Sequence, residues 1–149
     1  MKSSKTTAQY RDRPNGSAEC ASCTMWRPPA GCSAVEGAIS PQGWCSYHES
    51  VGAALKKAER QVDTKPSEAQ KESGTYAKGH LTAHGLPITI ENPKGSQRSG
   101  VGLGGKRWSV TMPAAYGYVK GSLGKDGDHV DVYLGPDHAS QKVFIVDQV

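Results

Sequence analysis

The chain reads as an α+β protein, a small irregular cysteine-rich module joined by a helix and a linker to a small antiparallel β domain. Three observations predict this. All four cysteines, Cys20, Cys23, Cys32 and Cys45, lie in the first third of the 149 residues, in segments that carry Gly, Pro and Trp in place of helical periodicity. Apolar residues then recur at helical spacing after Glu49, and from Tyr76 onward the apolar period changes to two, with glycine-rich turns. Hydrophobic residues make up only 36% of the chain and mean hydropathy is -0.59, so any core is modest. A cysteine-rich start and a cysteine-free remainder argue for two modules over one. The net charge of +4 is mild and no basic block is interleaved with aromatics, so nucleic-acid binding is not indicated. No apolar run approaches the roughly 18 residues that a membrane span needs.

Taken in order, residues 1–9 are polar and expected to be extended or mobile. The N-terminus MKSSKTTAQY has basic residues but no apolar core of the kind a secretory signal requires. The cysteines follow in the pattern C-x2-C-x8-C-x12-C. So small a stretch has too little apolar surface to fold unaided, and three agents could tie its sulfurs together: a pair of disulfides, a zinc ion or an iron–sulfur cluster. Disulfides need an oxidising compartment. Structural zinc usually shows two short C-x2-C knuckles, and here only Cys20 and Cys23 form one. One close pair plus two distant single cysteines suits a cubane best, because its irons are reached from turns spread along the chain. Tyr10, Trp26 and Trp44, with Met25, Val35 and Ile39, are candidates for an apolar wall that keeps water away, or for the ordinary core of a mini-domain.

Tyr10, Pro14 and Gly16, the C-x2-C turn, and the run Cys32, Ile39, Gly43, Trp44, Cys45 together resemble a high-potential iron–sulfur protein over about residues 8–48. That resemblance implies a [4Fe–4S] cluster held by Cys20, Cys23, Cys32 and Cys45, flanked by Tyr10 and Trp44, and one-electron transfer. His48, with Tyr47 before it, stands where that family's pattern has an aromatic.

Residues 49–75 change character. Val51, Ala54, Leu55, Ala58 and Val62 at helical spacing, with LKKAER as strong helix formers, predict one short amphipathic helix. After Thr64 the apolar positions vanish, and Pro66, Ser67 and Gly74 mark a linker. A short helical turn is also expected around Ser46 to Glu49. Residues 76–149 alternate. HLTAHGLPITIENP predicts a hairpin turning at Gly85; Trp108, Val110 and Met112 predict another strand; Val130, Val132 and Leu134 share a face; and KVFIVDQ is the expected last strand. Short strands with glycine-rich turns suggest a small, partly open antiparallel barrel. Gly100, Gly102 and Gly105 satisfy G-x-G-x-x-G, but a strand follows where phosphate binding needs a helix N-terminus, so a hairpin loop is expected. His80 and His84, four apart on a strand, are spread too far for a metal.

In DGDHVDV, Asp126 and Asp128 sit in a turn and Asp131 opens a strand. Three such carboxylates repel unless solvated or bridged by a cation, and oxygen-only ligands point to Mg2+, Mn2+ or Ca2+. AYGYVKGSLGKDGDHVDVYLGP, with GHLTAHGLPITIENPKGSQRSG and RWSVTMPAAYGY, is similar to soluble inorganic pyrophosphatases, and more particularly to the pyrophosphatase-like domain of phage and mobile-element proteins. The resemblance implies divalent metal, such as Mg2+, on Asp126, Asp128 and Asp131, with Glu91 as a further carboxylate. It also implies that Asp128 orients or deprotonates water while Lys94, Arg98 and Tyr116 grip phosphate. His129 replaces the signature proline. Pyrophosphatases continue past the point matching Val149 to further acidic and basic groups, so weak catalysis or none is expected. Two function classes stay open: a phage structural or accessory protein, partnered by other protein subunits in a virion or homo-oligomer and found in the virion or host cytoplasm, or an electron-transfer and phosphoanhydride-hydrolysing protein.

Overall fold

In the computed structural model, which describes residues 1–147, the chain folds around two separate hydrophobic cores. The first is built by short elements tied through backbone hydrogen bonds. A single 3₁₀ turn spans Cys20–Ser22, and a minimal hairpin pairs β1 (Trp26–Arg27) with β2 (Gly31–Cys32), setting Trp26 opposite Cys32. Residues 1–9 are not loose, as their polarity suggested. The Ser3 N–H donates to the Ala34 carbonyl at 2.8 Å, the Ser46 N–H donates to the Ala8 carbonyl at 2.9 Å, and Ala8 is fully buried. Arg11 and Trp44 exchange two backbone bonds of 2.9 Å, which bring the start of the chain alongside the last cysteine. Residues 46–49 contain a turn and no helix, contrary to expectation, because the chain there runs out to pair Ser50 with Cys23.

The predicted helix is α1 (Val51–Gln61). Ser50 caps it by accepting the Ala53 N–H, and Arg60 lies in its last turn, where a cation complements the helix dipole. Such a cap stabilises by about 1 kcal/mol. Burying Val51 and Leu55 contributes about 1.5–3 kcal/mol each, so packing decides where this helix sits. The expected linker contains a second helix, α2 (Glu68–Ser73), which buries nothing and is held by a capping box between Ser67 and Gln70 and by Gly74 in the left-handed region.

Six strands follow: β3 (Gly79–Ala83), β4 (Leu86–Asn92), β5 (Gln97–Val101), β6 (Arg107–Thr111), β7 (Ala115–Val119) and β8 (Asp131–Leu134). The order β3-β4-β7-β8 forms one antiparallel sheet, and β5-β6 forms a separate two-stranded ladder inserted between β4 and β7. The antiparallel β domain is as expected, and among the described residues its sheet is open. The hairpin turning at His84-Gly85 pairs Ala83 with Leu86, and the glycine-rich loop is the expected β5–β6 connection with no helix after it. One sheet face, with Ala83, Ile88, Ile90 and Ala115, packs on Val51, Leu55 and Ala58 of α1. The helix lies so close that a Cβ on Gly79 would fall on the Ala58 carbonyl. Residues 141–147 carry no strand. Val143, Phe144, Ile145 and Val146 are 81–87% exposed and pair with no strand, contrary to the expected KVFIVDQ strand, whose Gln148 lies outside the described residues.

Candidate functional site

The four cysteines are buried, unpaired by disulfide, and line one small cavity with Met25, Trp26 and His48. Their elements explain the convergence. Cys20 and Cys23 come from the 3₁₀ turn, held where the Cys20 N–H donates to the Gly43 carbonyl at 2.7 Å; Cys32 comes from β2, and Cys45 from the strand-like run that pairs with Arg11. Gly43, just before the Trp44-Cys45 pair, admits no side chain. A Cβ there would stand 2.7 Å from the Tyr10 hydroxyl and 3.0 Å from the Arg11 carbonyl.

Backbone N–H groups point at the sulfurs. The Ala34 N–H donates to Cys32 Sγ at 3.3 Å and the Glu49 N–H to Cys23 Sγ at 3.5 Å, while those of Met25 and Tyr47 favour the thiolates of Cys23 and Cys45. Burial nevertheless raises all three thiols whose shift is resolved. Cys20 is pushed up to about 12 by burial and then by Cys45, Cys23 and Cys32, and burial likewise raises Cys23 and Cys45. Buried thiolates repel one another, and only a cationic group among them relieves that. A zinc ion needs four sulfurs at about 2.3 Å from one point, and among the described residues no group of three or more His, Cys, Asp or Glu is arranged to hold a metal ion.

The remaining residues proposed for this site are placed differently. Tyr10 belongs to the surrounding core, where its hydroxyl donates to Asp12 Oδ1 at 2.6 Å and accepts from the Ser40 N–H at 2.8 Å. Burial, then the Asp12 bond, lifts it to about 12. Trp44 lies outside the cavity lining, half-buried beneath the Arg11 guanidinium at 4.9 Å. His48, read as a substitution for an aromatic, lines the cavity and its Nε2 meets the Glu19 carbonyl at 3.0 Å.

A second cluster forms on the sheet face opposite α1. Period-two alternation sends Tyr116 and Tyr118 to that face and Ala115 to the core. The register between β4 and β7 shifts at Ile90/Asn92, making Glu91 the extra residue of a bulge, a device that re-aims side chains. Arg98 Nη2 donates to the Tyr116 hydroxyl at 3.2 Å, with the guanidinium 4.5 Å from the Tyr116 ring and 5.6 Å from Trp108. Burial and the nearby Asp131 carboxylate raise Tyr116, against the opposing pull of Arg98. Sequence reasoning missed Lys78. Its ammonium pairs with Glu91 at 3.2 Å and lies over Tyr76 at 4.9 Å and Tyr118 at 5.6 Å. A lysine two residues after a tyrosine at a strand entrance carries no motif, so only the fold reveals it.

The structure thus brings Arg98, Tyr116, Asp131 and Glu91 into one neighbourhood. It leaves Asp126 and Asp128 in an exposed loop, where Asp126 Oδ1 accepts the Asp128 N–H at 3.1 Å. Lys94 is exposed, its backbone N–H bound by Glu59 Oε1 at 2.9 Å. His129, at the signature proline position, stacks on Tyr118 with centroids 4.4 Å apart. His80 meets Thr89 at 3.2 Å and His84 sits in the turn, so the two do not converge.

Fold and sites define a two-module protein, one module presenting a buried four-thiol pocket and the other a tyrosine-rich sheet face that carries charges of both signs. The model of the family described as inorganic pyrophosphatase matches residues 68–149, more than half of the chain, and the chain belongs to that family. The N-terminal module is similar to other proteins. An iron oxidase of Acidithiobacillus ferrooxidans is 44% identical over 41 residues, 28% of this chain and 46% of that protein. A high-potential iron–sulfur protein of Rhodopila globiformis is 43% identical over 37 residues, 25% of this chain and 65% of that protein. The chain therefore spans less than two thirds of either relative. The solution structure of the iron–sulfur protein PioC from Rhodopseudomonas palustris TIE-1 is 41% identical, with 33% of this chain and 91% of that one covered at a TM-score of 0.31. No helix among the described residues is long and apolar enough to cross a membrane.

Proposed function

We propose that Cys20, Cys23, Cys32 and Cys45 bind a [4Fe–4S] cluster that both staples the N-terminal module and carries one electron, and that the pyrophosphatase-family module serves chiefly as an accessory scaffold. The observation that carries this reading is one cavity lined by four buried thiols, of which Cys23, Cys32 and Cys45 receive backbone N–H bonds at sulfur. Bound there, the cluster would supply reversible one-electron chemistry. The chain's own part is to exclude water with Trp26 and Met25, to supply four thiolate ligands, and to direct N–H dipoles at the sulfurs, which favours the more electron-rich state. Likeness to proteins named for iron oxidation and for high-potential iron–sulfur chemistry supports the same reading. Voltammetry tests it: one reversible one-electron wave per cluster is expected, and iron-loaded protein without such a wave leaves only the stapling role.

For the second module, scaffold use is supported by Glu91 being engaged by Lys78 and by Asp126 being turned onto its own loop. A docking role among phage or virion subunits belongs to this proposal. The alternative is Mg2+-dependent phosphoanhydride hydrolysis, favoured by the Arg98, Tyr116 and Asp131 neighbourhood, which combines a phosphate-type donor with a carboxylate. Phosphate release from pyrophosphate with Mg2+ separates the two. The scaffold reading expects no release above a protein-free control; release that disappears in Asp128→Asn establishes the hydrolase.

A further inference from the structure

Among the described residues two buried side-chain nitrogens, Trp26 Nε1 and Arg11 Nε, have no hydrogen-bond partner, and both belong to the cysteine module. Trp26 is 1% exposed, and its indole Nε1 is buried without a hydrogen bond to any protein atom. Native proteins pair such groups almost always, and an orphaned buried N–H carries the full desolvation penalty, so a donor of this kind marks a missing acceptor. Arg11 Nε belongs to a guanidinium that lies over the Trp44 ring at 4.9 Å, outside the cavity lining. Trp26 lines the same cavity as all four cysteines and faces Cys32 across the β1–β2 hairpin.

We propose that the Trp26 indole N–H donates a hydrogen bond to a sulfur of the cluster and so acts as a positioning and tuning residue. This rests on the four cysteines holding the cluster. Backbone donors already serve Cys32 and Cys23. A side-chain donor adds a contribution that substitution can remove without touching the backbone, and a hydrogen bond to sulfur favours the reduced cluster, which carries more negative charge.

Trp26→Phe keeps an aromatic ring in the core and deletes the donor. With iron and sulfide content as in the unsubstituted protein, its midpoint potential, read by protein-film voltammetry, is expected to fall by about 59 mV, a tenfold change in the one-electron equilibrium. An unchanged potential in fully loaded Trp26→Phe overturns the proposal. Because the substitution could unfold so small a module, a second readout uses the unsubstituted protein. In 15N-labelled holoprotein the Trp26 indole N–H is expected to be hyperfine-shifted and protected from solvent exchange; an ordinary shift with fast exchange overturns the proposal. Unsubstituted protein that contains no iron overturns the cluster reading itself, and that outcome is told apart by the elemental analysis.

Discussion

Gly43 shows how much one residue carries. Its missing side chain lets the Tyr10 ring lie against the Gly43-Trp44-Cys45 run, and Tyr10 in turn receives the Ser40 N–H. Gly43→Ala is expected to destabilise the N-terminal module by about 1–3 kcal/mol, read from its denaturant midpoint, since neither the ring nor the Arg11 carbonyl can retreat freely. The sequence pattern made Gly43 visible as part of a motif, but its reason, a tyrosine thirty-three positions upstream, is visible only in the fold. Trp44 shows the same dependence on the fold: it follows Gly43 and precedes Cys45, yet its ring lies outside the cavity lining because neighbouring residues on an extended run face opposite ways. His84 carries a pH signature. Burial lowers its pKa below the ordinary 6.5, against a hydrogen bond to the His138 backbone that pulls the other way, so the unfolded chain binds a proton that the folded chain refuses. Stability is therefore constant in this respect above 6.5, falls as pH drops through 6.5, and levels once the folded residue also protonates. His84→Asn, which tolerates the left-handed backbone at φ 51, is expected to flatten that decline in melting temperature between neutral and mildly acidic buffer; an unchanged slope contradicts the assignment.

At the scale of elements, legibility followed the source of each element's stability. α1 was readable because Val51, Leu55 and Ala58 repeat at the period of the face they bury, and the β3–β4 hairpin because Ile88 and Ile90 alternate about one buried side. α2 buries no residue, so no periodicity announces it; the cue was the Ser67-x-x-Gln70 capping box followed by Gly74. Residues 1–9 look featureless because what orders them is backbone pairing with residues 34 and 46, which side-chain composition does not encode. Residues 142–147 have strand propensity, but propensity makes a strand only when the segment pairs with another, and these residues pair with none. The contact between α1 and β3 depends on Gly79. Gly79→Ala would drive a methyl group into the Ala58 carbonyl and is expected to cost about 3 kcal/mol, lowering the thermal midpoint of the β module. A variant melting with the unsubstituted protein would show that the helix does not press on the sheet there.

At the scale of the whole molecule, two small cores are stabilised in different ways. The β module buries a helix face against a sheet, the ordinary route. In the N-terminal core, which gathers Trp26, Val35 and Ile39, three of the seven buried members, Cys20, Cys32 and Cys45, are cysteines, and that core surrounds a cavity its own side chains do not fill. A group bonded to the thiols would contribute folding free energy that so little apolar surface cannot supply. The four-cysteine spacing announced this much, while for the acidic loop spacing shows only that Asp126 and Asp128 are neighbours in sequence, and the fold holds both exposed with Asp126 accepting the Asp128 N–H. The most direct measurement is iron and acid-labile sulfide determination on anaerobically purified protein. The account predicts four of each per chain, the composition of a single cubane; iron-free protein, with its thiols paired as disulfides or bound to zinc, would contradict it.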